Sequence, residues 1–291
     1  MLLTDLPEGI PAAAAVMARA DSENFPVASR LLRRRERSHL LAIYGFARLA
    51  DELGDSLQSS PAERLAALDW LEADLDRAYQ SDAVTPLLRR LTPTLQECSL
   101  PRDPFVRLIE ANRVDQRVSR YQSWEELRAY CALSADPVGE LVLEVFGAAN
   151  AARIALSDSI CTALQLTEHC QDVAEDLARG RVYLPLEDME RFGVTVADLG
   201  ALHAGEPVRA LLAFEVERAR WLLSHGAPLI GQLRGRARLA VAAFLAGGRA
   251  ALDAIESAGF DVLADGPPRA GGGRRLRALA TALRDGRRPS R

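Results

Sequence analysis

The chain has 291 residues, 48% of them hydrophobic, 5% aromatic and 26% charged, with 36 basic against 40 acidic side chains and a net charge of −4. That length supports a large buried core, the balance is that of an ordinary globular protein, and the mild acidity excludes a molecule that binds polyanions over its whole surface. Nucleic acid is therefore not an expected partner.

The first 23 residues carry acids early and lack a basic segment followed by a long apolar core, so no signal peptide is read from them. No run of about 18 apolar residues predicts a membrane span. Cys98, Cys131, Cys161 and Cys170 are scattered without paired spacing, which predicts free thiols in a reducing cytoplasm.

Apolar residues recur with a helical period along the chain, and no alternating strand pattern stands out. The periodicity predicts helices over 11–20, 25–33, 36–58, 61–81, 83–92, 102–119, 123–132, 136–147, 150–179, 207–228, 233–257 and 272–285, giving an all-α fold. Ser60 before Pro61, with Glu63 in the first turn, marks one start. Ser123 and Glu126 form a capping box, and Leu100-Pro101 and Glu206-Pro207 mark two further starts. Gly180 stops the long helix 150–179, with Arg179 and Arg181 beside its negative end. Residues 182–194 read as a loop with a short helix.

No linker or repeat divides residues 1–263, so a single helical domain is the simplest organisation, followed over 264–291 by a Gly/Pro-rich linker and a basic tail. As an amphipathic helix the tail would rest on anionic lipid; a solubilising tail is the alternative. Trp70, Trp124 and Trp221 read as core.

Two spacings carry chemistry. Asp51 and Asp55 lie four residues apart at the end of an apolar helix, which puts two carboxylates on one face about 6 Å apart. Taken singly, such a pair reads as a solvated acidic face. Asp172 and Asp176 repeat the spacing late in a second apolar helix. Two such pairs facing each other would suit Mg²⁺ ions around a diphosphate, because that hard ion takes carboxylate and phosphate oxygens.

The segments Asn24-Phe25-Pro-Val-Ala-Ser29, Tyr44-Gly-Phe-Ala-Arg48-Leu-Ala-Asp51 with Asp55, Tyr130-Cys-Ala-Leu-Ser134-Ala-Asp-Pro-Val-Gly139, Gln165 with Gln171-Asp172 and Asp176, and Gly180-Arg-Val-Tyr183-Leu-Pro185 stand in one order. In these segments the chain resembles the squalene/phytoene synthase family from about residue 20 to 260, and most of all its hopanoid-pathway branch. The resemblance implies a helical isoprenoid synthase bundle around a central cavity.

It also implies roles. Asp51, Asp55, Asp172 and Asp176 would bind Mg²⁺, two or three ions with the diphosphate, and Glu168 would join them where relatives often carry Asn. Asp51, Asp172, Tyr44 and Tyr130 would be catalytic, Tyr130 close to the reacting carbons. Arg48, Asn24, Phe25, Gln165, Arg181 and Tyr183 would hold substrate, Arg48 having an intrahelical pair with Asp51 or Glu52 as its structural alternative. Asp115 would help order the metal region, and His169 would pack beside the site. Gln171 stands where many relatives carry Arg.

The implied reaction ionises presqualene diphosphate and lets water capture the cation, without NADPH. Head-to-head condensation of two farnesyl diphosphates to presqualene diphosphate or squalene is the alternative, with phytoene synthesis behind it. Other hopanoid-pathway enzymes are implied partners, and a cytoplasmic location, peripheral to the inner face of the membrane, is implied for the chain.

Overall fold

The structure, a computed structural model, describes residues 11–18, 32–56, 59–264, 278–279 and 281–283. In chain order its helices are α1 (Ala13–Ala18), α2 (Arg34–Gly54), α3 (Pro61–Tyr79), α4 (Pro86–Glu97), α5 (Asp103–Val114), α6 (Trp124–Ser134) and α7 (Asp136–Val145). There follow α8 (Ala151–Gln171), α9 (Val173–Ala178), α10 (Leu186–Arg191), α11 (Val196–Leu199), α12 (Glu206–Gly226), α13 (Leu229–Gln232) and α14 (Gly235–Ser257). The all-α expectation is borne out: among the described residues the only β feature is an isolated bridge between Arg120 and Val182. No described helix is long and apolar enough to cross a membrane. The helix expected over 25–33 falls almost wholly outside the described residues, as does most of that over 272–285.

Local chemistry sets the helix starts. Ser60 Oγ accepts from the Glu63 N–H at 3.3 Å while Glu63 Oε2 accepts from the Ser60 N–H at 2.7 Å, the reciprocal box that opens α3. Ser123 Oγ likewise accepts from the Glu126 N–H, but the Glu126 carboxylate takes the N–H of Gln122 at 2.7 Å, one residue beyond the expected partner. Pro101 precedes its helix, and α5 begins at Asp103 with Pro104 in its first turn. The helix expected to end at 92 runs on through Pro93 to Glu97: Pro93 supplies no N–H, yet burial of Leu91, Thr94 and Leu95 holds the next turn in place.

The chain divides into two compact units, residues 1–117 with 137–150, and residues 118–136 with 151–291. In the first, α2 packs against α3, α4 and α5, and the fully buried rings of Phe46 and Phe105 meet edge to face at 5.0 Å. This contact sets the C-terminal half of α2 against α5.

In the second unit α8 lies along α12, with α14 against both. The close approach depends on Gly226, where a Cβ would stand 2.5 Å from Ile160 Cγ1 and 2.7 Å from the Leu156 carbonyl oxygen. Glu215, wholly buried on α12, shares the Arg218 guanidinium with Asp188 of α10 at 2.7 and 2.8 Å, and that guanidinium lies 4.7 Å over both Trp124 and Phe214. Burial pushes the Glu215 carboxyl up to about 8, against the opposing pull of Arg218. The network ties the start of α6 and the segment around α10 to α12. Trp221 corrects its core assignment: it is 64% exposed on α12, stacked on His225. Near the C-terminus Ala282 is fully buried and Arg238 Nη2 of α14 donates to the Leu283 carbonyl at 3.0 Å. None of the four cysteines forms a disulfide.

Candidate active site

The first aspartate pair sits where α2 ends. The Asp55 N–H makes the last helical bond, to the Asp51 carbonyl at 2.8 Å, so both carboxylates belong to one turn. Asn112 Nδ2 of α5 donates to Asp51 Oδ1 at 3.2 Å and to the Leu108 carbonyl at 3.1 Å. Gly54 makes this approach feasible: a Cβ there would lie 2.3 Å from Asn112 Oδ1. Gln116 Nε2 donates to the Gly54 carbonyl at 3.0 Å while its Oε1 accepts from Arg64 Nε at 2.7 Å, and Arg64 Nη1 reaches the Ser56 carbonyl at 3.1 Å. The Gly54 carbonyl at the negative end of α2 and the Ser56 carbonyl just beyond it are thus covered by donors.

Burial drives the Asp51 carboxyl up to about 6, with the charges of Asp55 and Asp115 adding to it, against the opposing pull of Asn112 and Arg48. Half of the Asp51 side-chain surface is nevertheless open. A carboxylate crowded by protein yet reachable from solvent is one that a cation would relieve. Arg48 Nη2 donates to Glu52 Oε1 at 2.9 Å and Nη1 stands 4.0 Å from Asp51 Oδ2, so here the guanidinium holds its own helix. Tyr44 is half-buried one turn earlier. Asn24 and Phe25 lie outside the described residues.

The second pair stands at a break. The run expected as one helix over 150–179 is interrupted at Asp172, whose backbone leaves helical geometry at φ −99°, ψ 17° and serves as the N-cap position of α9. Hydrogen bonds continue across it, Asp172 N–H to the Glu168 carbonyl at 2.9 Å and Asp176 N–H to the Asp172 carbonyl at 2.8 Å. Glu168, Asp172 and Asp176 therefore follow one another at single turns. Gly180, in the left-handed region at φ 79°, ends the run as expected. Burial raises the Asp176 carboxyl to about 7, and the charge of Asp172 adds to it.

Beside Asp176 an aromatic wall assembles. The rings of His169 and Tyr183 stack at 4.0 Å and 12°, Tyr130 lies 5.6 Å from Tyr183, and Tyr121 lies 5.3 Å from Tyr130 and 5.9 Å from Tyr183. Burial pushes His169 down to about 3, so the imidazole is neutral and its 4.0 Å approach to Asp176 is not an ion pair. Gln165 Nε2 reaches His169 Nε2 at 3.4 Å. His169, Val173, Asp176, Arg181, Tyr183 and Leu199 line a crevice of about 10 Å³, space for no more than a single water. The Arg181 N–H bonds the Asp176 carbonyl at 2.9 Å.

Tyr130, Gln165, Glu168, His169, Asp172, Asp176, Arg181 and Tyr183 thus share the second unit, and Tyr44, Arg48, Asp51, Asp55 and Asp115 the first. Sequence reasoning missed Gly54, Asn112, Gln116 and Tyr121. Tyr121 is carried by strand-like pairing, with the Val182 N–H on the Ser119 carbonyl and the Leu186 N–H on the Tyr121 carbonyl; no helical period announces it. Among the described residues no three His, Cys, Asp or Glu side chains gather into a metal cluster. Each pair offers two carboxylates, which fits Mg²⁺, an ion held by one or two carboxylates with substrate phosphates supplying the rest.

The squalene/phytoene synthase family matches residues 18–278. The chain is 36% identical to a hydroxysqualene synthase of Sinorhizobium fredii over 73% of its length and 72% of that protein's. It is 37% identical to one of Zymomonas mobilis over 69% and 67%. The solved structure of squalene synthase HpnC from Alicyclobacillus acidocaldarius superposes with a TM-score of 0.76 at 42% identity, covering 89% of this chain and 98% of that one.

Proposed function

The chain belongs to the squalene/phytoene synthase family of isoprenoid-processing enzymes, and from that membership we propose that it is a hydroxysqualene synthase, converting presqualene diphosphate and water into hydroxysqualene and diphosphate. The observation that carries this reading is the group of relatives bearing that name, at 35–37% identity over most of the chain.

Asp51, Asp55, Asp172 and Asp176, with Glu168, are the residues to hold two or three Mg²⁺ ions. Mg²⁺ bound there would neutralise the departing diphosphate. The raised carboxyls of Asp51 and Asp176 support the assignment, since each is a desolvated acid with a like charge beside it. Arg48 gives the diphosphate a planar fork of donors in exchange for Glu52, and Arg181 and Tyr44 add contacts to the same group. Asn24, Phe25 and Gln165 hold the remainder of the substrate. The faces of Tyr130 and Tyr183 turn negative π density toward the carbocation and, being largely apolar, keep bulk water from quenching it early. A water oxygen supplies the final bond, so no NADPH is expected.

The substrate's long prenyl tails favour a peripheral position at the inner face of the cell membrane. The arginine-rich tail supports contact with anionic lipid there, and with neighbouring hopanoid-pathway enzymes.

The test is incubation of the full chain with Mg²⁺ and presqualene diphosphate, without NADPH. Hydroxysqualene is expected, and no product from farnesyl diphosphate alone. Presqualene diphosphate or squalene made from farnesyl diphosphate would replace this reading with the condensation, and phytoene from a longer prenyl diphosphate with phytoene synthesis. Asp51→Asn and Asp172→Asn should each slow turnover by about 100-fold or more with the helical circular dichroism unchanged; wild-type rates in either would remove the metal assignment.

A further inference from the structure

One buried hydroxyl has no part in the site described so far. Ser134 is the last residue of α6, and its Oγ is shut off from solvent with no hydrogen-bond partner in the protein. Native proteins leave few buried hydroxyls in that state, and those they leave usually meet a water or a ligand. Its neighbours one turn back, Cys131 and Tyr130, are buried, and Leu127 beyond them is wholly so. The hydroxyl therefore lies on a buried stretch of α6 with its hydrogen-bonding capacity unused.

Two fixed points on α8 give its position. Before it, the Tyr130 ring lies 6.3 Å from that of His169. After it, Asp136 Oδ1 accepts from Thr162 Oγ1 at 2.9 Å in the buried interior. Sequence number rises from α6 into the first residue of α7 as it falls along α8, so Ser134 comes level with the stretch between Thr162 and His169, where Gln165 stands. Ser134 also follows Tyr130 by one turn, on the same face of α6.

Resting on the hydroxysqualene reading above, we propose that Ser134 is the positioning residue for the water that captures the carbocation, with Gln165 at the same level as its second support. The C–O bond to diphosphate breaks with its electron pair on the leaving group. A lone pair of the held water then forms the new C–O bond, and the oxonium so made gives its proton to the released diphosphate, the strongest base the reaction creates. No oxidant or reductant enters the balance. By accepting one O–H of the water, Ser134 Oγ leaves both lone pairs of the water oxygen free for carbon. Two polar groups, Ser134 and Gln165, give one water the partners it needs to be held, and holding one water is what separates productive capture from early quenching.

The measurement is hydroxysqualene formed per diphosphate released from presqualene diphosphate, on the full chain with Mg²⁺. This ratio does not depend on how much of a variant is folded. Ser134→Ala should lower it about fivefold, the balance appearing as eliminated or rearranged hydrocarbons, as expected for losing one hydrogen bond to the nucleophile. Ser134→Thr, which restores the hydroxyl, should bring it back. An unchanged ratio in Ser134→Ala overturns the role of Ser134 alone. If the unsubstituted chain releases diphosphate and yields no hydroxysqualene, the reading beneath the proposal fails and the proposal with it.

Discussion

Asp51 and Asp176 hold their protons far above the usual carboxylate range, at about 6 and about 7, because burial penalises their charged forms. Both folded values lie above the unfolded value near 3.9. The stability each protonated acid contributes is therefore fully present below about pH 4 and is lost as pH rises through its folded value. Without divalent metal, Asp176→Asn should raise the melting temperature by a few degrees at pH 8 and leave it nearly unchanged at pH 4. A scan of melting temperature against pH for both proteins checks this, and equal curves would remove the shift. At the same scale, Gly54→Ala puts a methyl group on Asn112 and so breaks the bond to Asp51. We expect turnover of presqualene diphosphate to fall about tenfold with intact circular dichroism, on the scale of one displaced site contact. The aspartates were legible in the sequence because a four-residue spacing projects onto one helix face. Gly54 and Asn112 were not, because their meeting depends on α5 lying against α2, which no local pattern encodes.

At the scale of elements, small residues and caps decide where helices begin and how closely they approach. Gly226→Ala should destabilise the chain by about 1–3 kcal/mol, since the Leu156 carbonyl in its way is backbone and cannot swing aside. Calorimetry or denaturant unfolding measures it, and a wild-type midpoint would show that α12 shifts without cost. Ser60, Ser123 and Gly180 announced their helix ends correctly because capping is a local exchange of hydrogen bonds. Pro93 and Asp172 misled for the opposite reason. Pro93 stays inside α4 because neighbouring side chains are buried, and the break at Asp172 interrupts a stretch whose apolar period runs on unchanged.

At the scale of the whole molecule, the all-α class and the family were legible from helical period and from motif order. The seating of the tail was not, since an amphipathic pattern gives a face without saying what covers it. Ala282 is fully buried, and the Leu283 carbonyl is held by Arg238 of α14. A chain ending at Asp265 should therefore melt several degrees lower as well as lose sedimentation with anionic liposomes at low salt. Equal liposome binding by the two chains would sink the lipid contact, and equal melting would show the packing of Ala282 to be worth little.

The division into two units has a further consequence, for the order of synthesis. Every residue of the first unit has been made once Asn150 is in place, whereas the second begins inside it at Val118 and draws on residues as late as Leu283. A ribosome would thus have translated the whole of one unit while the other still lacked all of α8, α12 and α14. Domains generally fold as units, the N-terminal ones first. The apolar face of α8 then waits for α12 and α14 to be made, and that interval is where a slow or crowded cell would lose this protein to aggregation.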